Sequence, residues 1–339
     1  MIEVKHLTKR YGNHTAVSDL SFTIEKGQIY GFLGPNGAGK STTMNIMAGC
    51  LAASSGEVKI GGYDIFEESA QAKKLIGYLP EQPPLYLDRT PREYLTFVAR
   101  AKGVAPSERD REISRVMEVT QIADVSDRLI KNLSKGYKQR VGIAQAILGQ
   151  PEIIILDEPT VGLDPRQIIE IRELIQDLGK KHTVILSSHI LSEVQAVCQT
   201  ILIISKGKLV ACDTPANLER LFAGTTTVEL ITEAAAQEVR EILSALPYIT
   251  GLDLREDGTD RCAVRIETDQ AVDDSICRDV FFAFSKAGRA LLQMTMAKAS
   301  LEDIFIELTN GDAQSEEEDA VDPGEEAPEE NDEEEGEEG

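Results

Sequence analysis

Short apolar runs alternate with helical patterns along most of the chain. The runs have the length of buried strands and occupy residues 2–6, 20–24, 28–33, 56–60, 76–79, 153–156, 183–187 and 201–204. Between them, apolar residues at helical spacing predict helices over residues 40–49, 165–178 and 191–198. Strands that alternate with helices are typical of an α/β fold, in which helices cover a mostly parallel sheet. We therefore expect an α/β core.

The stretch from about residue 84 to 134 has a helical pattern instead. Apolar residues at helical spacing predict one helix over residues 91–102 and another over residues 107–122, with Ser107 as the N-cap of the second. Since strands resume after this stretch, we interpret it as a helical insert in a first domain that covers residues 1–222.

A second pattern of strands and helices begins near residue 225. Strands are predicted over residues 226–231, 250–255, 261–267 and 291–297, and helices over residues 234–246 and 272–286. This order indicates a small α+β domain over residues 225–310. It ends in a predicted helix over residues 300–309, which Ser300 and Asp303 open as a capping-box pattern.

The charge of the chain is concentrated at its C-terminal end. Of 58 acidic residues, sixteen fall between Asp312 and Gly339, where there is no Lys or Arg, leaving 42 acidic and 35 basic residues in the remainder. We expect residues 311–339 to be a disordered acidic tail, because they cannot bury enough apolar surface to fold. The remainder is mildly acidic, so no nucleic-acid partner is expected.

Three features of the composition concern the compartment. The five cysteines are scattered and form no C-x-x-C pair, which favours a reducing compartment over a disulfide or zinc framework. The first residues do not have the apolar core of a signal peptide. No apolar run has the ~20 residues that a membrane span needs. We expect a cytoplasmic protein.

A glycine-rich loop joins the predicted strand over residues 28–33 to the following helix. It matches the phosphate-binding pattern G-x-x-x-x-G-K-S/T and consists of Gly34, Pro35, Asn36, Gly37, Ala38, Gly39, Lys40 and Ser41, with Thr42 next. Backbone N–H groups of such a loop surround phosphates. Lys40 is the candidate ligand of the β- and γ-phosphates, and Ser41 that of Mg²⁺. The loop alone does not separate kinases, GTPases and transport ATPases.

Two acidic residues follow the apolar run over residues 153–156. Asp157 is the candidate acid in the outer shell of the metal, and Glu158 is the candidate general base that polarises the attacking water. His189 follows the predicted strand over residues 183–187, and we expect it to lie across the γ-phosphate from Glu158. We treat the other three histidines as incidental.

The stretch Leu133-Ser134-Lys135-Gly136-Tyr137-Lys138-Gln139-Arg140 resembles the L-S-G-G-Q signature of ATP-binding-cassette (ABC) ATPases. Together with the phosphate loop, the acidic pair, Gly162-Leu163-Asp164 and His189, it forms the ordered motif set of that family over residues 1 to about 220. The resemblance implies a P-loop NTPase cassette with a RecA-like core, an antiparallel β subdomain and a helical insert. It also implies hydrolysis of ATP with Mg²⁺.

The same resemblance implies a composite site. Cassettes of this family form head-to-tail dimers, in which Ser134 and Gly136 would approach the γ-phosphate held by the partner's Lys40, with Asp164 at the seam. We expect a homodimer, and a heterodimer is the alternative. Tyr11 would stack on adenine, with Val17 beside it; otherwise Tyr11 is an ordinary surface tyrosine.

Two departures from the family pattern affect the interpretation. Lys135 and Tyr137 replace a glycine and the glutamine of the signature, but Ser134 remains, and we take the site as active. The glutamine of the loop that contacts Mg²⁺ aligns with Glu81 rather than with Gln82. Either residue is a candidate metal ligand.

The resemblance also implies partners. The stretch Leu85-Tyr86-Leu87 and the helix after it are our candidate docking surface for a separately encoded transmembrane permease. The alternative is that these residues only pack the insert. The second domain resembles the C-terminal accessory domain of bacterial exporter-type cassettes, and we expect it to support dimerisation or regulation. The predicted function is the ATPase subunit of an ABC exporter, peripheral on the inner face of the membrane.

Two other functions remain as alternatives. One is a non-transport ABC ATPase that acts on a soluble complex, and the other is a module that binds ATP without turnover. The acidic tail also has more than one interpretation. It is a passive solubilising tail, an interaction tail for a basic partner, or a brake on dimerisation through like-charge repulsion.

Overall fold

The computed structural model of the chain describes residues 1–221, 227–256, 261–268 and 274–297. Within these ranges the strands form three sheets. The predicted last helix over residues 300–309, the acidic tail and the predicted boundary between the two domains lie outside the described residues. The domain boundaries stay predictions. No helix among the described residues has the length and apolar character to cross a membrane.

The first sheet is antiparallel and has four strands in the order β2-β1-β4-β5. Its strands are β1 (Ile2–Tyr11), β2 (His14–Ile24), β4 (Ser55–Ile60) and β5 (Tyr63–Asp64). Buried and exposed positions alternate in β2, where Leu20, Phe22 and Ile24 are buried. This alternation is expected where one face of a sheet packs on a core.

The second sheet has six strands in the order β10-β9-β3-β8-β7-β6. They are β3 (Ile29–Leu33), β6 (Ile76–Leu79), β7 (Ile153–Leu156), β8 (Thr183–Ser188), β9 (Thr200–Ser205) and β10 (Lys208–Asp213). The pairs from β9 to β6 are parallel, and β10 is antiparallel to β9. The predicted mostly parallel sheet is therefore confirmed.

Strands of the second sheet are buried on both faces because each face has its own core. In β7, Ile154 and Leu156 pack into the core shared with the helices, whereas Ile153 and Ile155 pack into the core shared with the antiparallel sheet. Side chains alternate between the faces of a strand, so a strand between two cores must be apolar at every position. This is why the apolar run over residues 153–156 has no polar interruption.

Helices surround the second sheet and fill the insert. They are α1 (Lys40–Met47), α2 (Ser69–Lys74), α3 (Pro91–Ala101), α4 (Arg109–Val119), α5 (Lys135–Ile147), α6 (Pro165–Gly179), α7 (Leu191–Val197) and α8 (Pro215–Leu221). Of these, α3, α4 and α5 lie between β6 and β7, together with the 3-10 turns Ala123–Val125 and Ile130–Asn132. Helices α3 and α4 therefore occur where the pattern predicts helices, whereas the bounds of the helical insert, about residues 84 to 134, stay a prediction.

The third sheet is antiparallel, with four strands in the order β12-β13-β11-β14. Its elements follow the predicted order: β11 (Thr227–Thr232), α9 (Ala236–Leu243), β12 (Ile249–Glu256), β13 (Cys262–Thr268), α10 (Asp274–Lys286) and β14 (Leu291–Ala297). Val239, Val280 and Phe284 from the two helices pack on one face of the sheet in a separate core. The predicted small α+β fold is confirmed.

Some elements differ from their prediction. Helix α4 begins at Arg109, so its N-cap is Glu108 and not the predicted Ser107. The side chain of Glu108 makes no capping hydrogen bond. The neighbouring helix α3 is capped by Thr90, whose hydroxyl accepts a hydrogen bond from the N–H of Glu93 in a full capping box. The elements β5, α2, β10 and α8 are absent from the sequence-based assignment, because their short polar-rich segments have no clear period.

Candidate functional site

The candidate residues come from loops that follow parallel neighbouring strands. The glycine-rich loop follows β3, Glu81 follows β6, Asp157 and Glu158 follow β7, and His189 follows β8. The carboxyl ends of parallel strands meet at one edge of a sheet, where α/β proteins form ligand crevices. The topology therefore places these separate motifs together.

A cavity of about 500 Å³ lies at this edge. Its wall consists of Tyr11, His14, Ala16, Asn36, Gly37, Ala38, Gly39, Lys40, Ser41, Thr42, Glu81, Glu158, Val161 and His189. Most of the phosphate-loop residues expected from the sequence are in this wall. Gly34 and Pro35 contribute through their carbonyl oxygens, which accept hydrogen bonds from the Lys40 ammonium at 2.7 and 3.1 Å.

Two glycines of the loop are required by its shape. A Cβ at Gly34 would lie 2.3 Å from the carbonyl oxygen of Ile204, so only glycine fits between the two backbones. Gly39 has φ of 101°, in the region that favours glycine, and it precedes the first residue of α1. The loop therefore passes directly into the N-terminus of α1, whose first residues, Lys40, Ser41 and Thr42, line the cavity. The first N–H groups of a helix have no partner within it and are available to an anion.

Lys40 is buried and is held by carboxylate and carbonyl groups. Its Nζ lies 3.7 Å from Oε1 of Glu158, in addition to its bonds with the loop carbonyls. Burial lowers the pKa of Lys40 below its ordinary value, and the nearby carboxylates of Glu158 and Asp157 oppose this shift. An anionic ligand in the cavity would add the same favourable interaction.

Asp157 connects the acidic pair to the phosphate loop. Its Oδ1 accepts hydrogen bonds from the hydroxyls of Ser187, at 2.6 Å, and Ser41, at 3.1 Å. Ser41 and Asp157 thus present two oxygen ligands side by side at the start of α1. Within the described residues, no cluster of three or more His, Cys, Asp or Glu side chains is arranged to hold a metal ion.

Glu158 and His189 contact each other across the cavity. Nδ1 of His189 lies 3.1 Å from Oε2 of Glu158, and the ring is partly exposed whereas the carboxylate is buried. Glu158 has φ of 48°, an uncommon conformation for a residue with a side chain. The N–H of Glu158 donates to Oγ of Ser187 at 2.8 Å, which helps to hold it. This pair can orient a water molecule in the cavity.

Similarity to known proteins agrees with this geometry. The family model described as ABC transporter matches residues 17–161. The chain is 31% identical over 310 residues to the linearmycin resistance ATP-binding protein LnrL of Bacillus subtilis, covering 91% of this chain and 98% of LnrL. It is 34% identical to the bacitracin transport ATP-binding protein BcrA of Bacillus licheniformis, covering 92% of this chain and 98% of BcrA.

The chain belongs to the ABC transporter ATP-binding proteins. A solved ATP-binding subunit of an ABC transporter matches 66% of this chain and 93% of its own length, with a TM-score of 0.60 and 31% identity. A dimeric structure of MJ0796, a bacterial ABC transporter cassette, matches 63% of this chain and 98% of its own length, with a TM-score of 0.58 and 25% identity. The predicted ATPase family and cassette fold are confirmed.

In the ABC cassette, the side chain of Tyr11 is exposed to the cavity, whereas that of Val17 is buried. Tyr11 is 48% exposed in the cavity wall, with the Lys9 ammonium 5.1 Å from its ring centroid. Val17 is fully buried in the core beneath the phosphate loop, and its predicted place beside Tyr11 stays a prediction. Neighbouring residues of a strand face opposite ways, and Ala16 lines the cavity instead.

The signature residues of the cassette lie outside the cavity wall. Ser134 is the N-cap of α5, where its Oγ accepts a hydrogen bond from the N–H of Tyr137 at 3.3 Å. Asp164 is the N-cap of α6, where Oδ1 accepts from the N–H of Gln167 at 2.9 Å. Gly136 is buried under the side chain of Gln167. The chain does not bring these residues to its own phosphate loop.

The two unusual signature residues have contacts within the cassette. Nζ of Lys135 lies against Gly162, at 2.2 Å from where a Cβ of that residue would be. The hydroxyl of Tyr137 donates to Oδ2 of Asp124 at 2.9 Å. Both substitutions therefore fit the fold without displacing Ser134.

The structure also distinguishes Glu81 from Gln82, the two residues predicted as alternative metal ligands. Glu81 lines the cavity, and Gln82 does not. The charge of Glu81 also contributes to the pKa of Lys40, which it raises. Glu81 is therefore the better placed of the two residues.

Three wall residues were not predicted from the sequence. They are His14, Ala16 and Val161. His14 pairs with Tyr11 across the turn between β1 and β2, so the two rings share one end of the cavity. The dipeptide Gly12-Asn13 was the available signal, since glycine followed by asparagine between two strands indicates a tight hairpin.

Proposed function

We propose that this chain is the energy-coupling subunit of an ABC exporter, working through a separately encoded transmembrane permease. The observation that carries the proposal is the cavity in which Lys40, Ser41, Glu158 and His189 converge in a chain of this family. The names of LnrL and BcrA, for linearmycin resistance and bacitracin transport, support export as the direction. The chain would lie on the inner face of the membrane, bound to the permease.

We propose these roles for the residues of the cavity. Lys40 and the loop N–H groups bind the β- and γ-phosphates of ATP, and Tyr11 stacks on the adenine. Glu158 accepts the proton of the attacking water, and His189 keeps Glu158 and the water aligned through the contact at 3.1 Å. Positioned acids and bases of this kind contribute ~10²–10⁴-fold to a rate.

The oxygen ligands of the site fit Mg²⁺. The ion prefers a few protein oxygens and completes its shell with water and substrate phosphates. Ser41 and Asp157 supply adjacent oxygens, and Glu81 is a third candidate at the cavity wall. When bound, Mg²⁺ neutralises charge on the β- and γ-phosphates.

We propose that Ser134, Gly136 and Asp164 serve the site of a second cassette in a head-to-tail dimer. Their position outside the cavity of their own chain, at the N-termini of α5 and α6, supports this arrangement. Helix N-termini present N–H groups to anions. A homodimer would contain two equivalent sites.

Of the predicted docking residues, Leu85 is partly buried and packs against the core shared with the helices. The proposed docking surface for the permease therefore consists of Tyr86, Leu87 and Phe97. These side chains are 47%, 51% and 50% exposed. The ring of Tyr86 contacts those of Phe97 and Tyr94, at centroid distances of 5.3 and 5.6 Å, so the surface is ordered by its own packing. Exposed clusters of large apolar side chains are typical of protein interfaces.

Affinity purification from the native cell in mild detergent tests the proposal. We expect a hydrophobic multi-spanning protein in stoichiometric amount with the wild-type chain. Replacing Tyr86 and Phe97 by serine should remove it and leave basal ATP hydrolysis intact, since neither residue lines the cavity. A matched control replaces the exposed Phe281 and Phe282 of α10, and it should retain the permease. Recovery of soluble partners alone would instead favour action on a soluble complex.

A further inference from the structure

Glu193 is a buried carboxylate that the proposed chemistry does not use. It lies in the first turn of α7 and is only 4% exposed. Burying an ionised carboxylate is costly unless several partners satisfy it. The partners of Glu193 therefore show what its position achieves.

One oxygen of Glu193 joins two loops of the site. Its Oε2 accepts a hydrogen bond from the hydroxyl of Thr160 at 2.5 Å and another from the hydroxyl of Ser188 at 3.1 Å. Thr160 lies two residues after Glu158, and Ser188 lies immediately before His189. Both hydroxyl groups belong to buried residues, so water does not compete for these bonds.

Ser188 and Glu193 each make one further contact. The Oγ of Ser188 also accepts a hydrogen bond from the N–H of Ile190 at 3.0 Å, so the turn that presents His189 is tied on both sides. The other oxygen of Glu193, Oε1, lies 4.0 Å from the guanidinium of Arg172 on α6. A cation beside the second oxygen offsets part of the cost of burying the charge.

The connection matters because Glu158 is in an uncommon backbone conformation. A residue with a side chain at positive φ costs on the order of 1–3 kcal/mol and persists only where its surroundings hold it. Ser187 holds the N–H of Glu158, as described above. Thr160 anchors the chain on the other side of Glu158, and Glu193 provides that anchor.

We infer that Glu193 is a positioning residue for ATP hydrolysis, which fixes Glu158 and His189 relative to each other through Thr160 and Ser188. The inference rests on the proposed function, because it acts through the roles proposed for Glu158 and His189. Glu193 does not line the cavity and touches no substrate. Its effect should therefore appear in the turnover rate and not in the affinity for ATP.

The sharpest test alters Thr160, since this leaves Glu193 and its other partners in place. Thr160→Val removes the hydroxyl and keeps the branched shape, whereas Thr160→Ser keeps the hydroxyl. We expect Thr160→Val to lower kcat about tenfold, the factor that ~1.4 kcal/mol represents, with KM and the stoichiometry of ATP binding unchanged. Thr160→Ser should retain a rate close to wild type. A purely structural defect would lower binding stoichiometry and kcat together, and that result would overturn the inference.

A double-mutant cycle separates this inference from the proposed function. In the His189→Gln background, Thr160→Val should lower single-turnover hydrolysis by a smaller factor than in the wild type, because the alignment of His189 with Glu158 is already lost. Effects that multiply would overturn the inference. If His189→Gln alone hydrolyses ATP like the wild type, the proposed role of His189 fails. If His189→Gln is slow and Thr160→Val is normal, the role of His189 stands and only the role of Glu193 fails.

Discussion

The family motifs lie in two parts of the cassette, which are organised in opposite ways. We call the cavity wall with Asp157 the cavity half, and the N-termini of α5 and α6, with Ser134 and Asp164, the signature half. In the cavity, Glu158 contacts both Lys40 and His189, and Asp157 accepts hydrogen bonds from Ser41 and Ser187. At the signature side, the polar side chains cap the helices to which they belong. The first half is a concave site with charged groups, and the second is a surface of helix N-termini.

This difference decides which experiment can test the residues of each half. A cavity residue contacts the other polar side chains of the cavity within one chain, so a single substitution changes a defined contact. Ser134 and Asp164 already accept hydrogen bonds from their own helices. Their proposed action on a phosphate needs a second chain, and it is visible only when two chains are combined.

The largest expected effect comes from the cavity half. Glu158→Gln keeps the size of the side chain but cannot accept a proton, and we expect steady-state hydrolysis to fall ~10²–10⁴-fold. ATP binding should be retained, because Lys40 and the loop N–H groups are unchanged. Phosphate release at saturating ATP and Mg²⁺ and binding of a fluorescent ATP analogue measure the two properties.

The matched control for this variant is Glu152→Gln. Glu152 precedes the same strand, β7, at its other end, and pairs with Lys26 at 2.7 Å on the surface. Hydrolysis should not change in this control. Near wild-type hydrolysis by Glu158→Gln would exclude Glu158 as the general base.

Mixing two inactive chains tests the signature half. Lys40→Ala should lose the phosphate contact, and Ser134→Arg should block the signature, so neither chain alone hydrolyses ATP appreciably. In a head-to-tail dimer of both, one composite site contains the intact Lys40 and the intact Ser134. Random pairing should therefore restore roughly a quarter of wild-type hydrolysis.

A mixture of Lys40→Ala with Glu158→Gln is the control, because both changes lie in the cavity half. In that mixed dimer, each cavity has one defect whichever signature it meets, so no activity should return. Activity of Ser134→Arg alone at the wild-type rate would show that each chain hydrolyses ATP without the partner's signature.

The cavity half was more predictable from the sequence than its surroundings for a physical reason. Phosphate binding needs glycines, Lys40 and Ser41 within a few consecutive residues, so the whole group is visible as one motif. Strand order then brings Asp157 and His189 to the same edge, because fully apolar runs predict parallel strands. The family resemblance supplied the signature.

Residues that depend on side-chain direction were less accessible. The direction of the Val17 side chain depends on the register of β2, which the sequence-based assignment begins at residue 20 instead of His14. No sequence motif marks Glu193, and its burial appears only when α7 packs beside β8. Such positions need the fold, whereas motifs need only the chain.

The acidic tail affects how the cavity half of one chain approaches the signature half of a second chain. Its removal has the smallest expected effect on hydrolysis. It lies outside the described residues, so only its sixteen acidic residues and its position after residue 311 enter the argument. Repulsion between two such tails would oppose dimerisation, but salt screens exposed charges within ~8 Å at physiological ionic strength. We expect deletion of residues 312–339 to change hydrolysis less than ~twofold. A several-fold increase at low salt that disappears at high salt would identify the tail as a brake, since screening removes the repulsion between exposed charges.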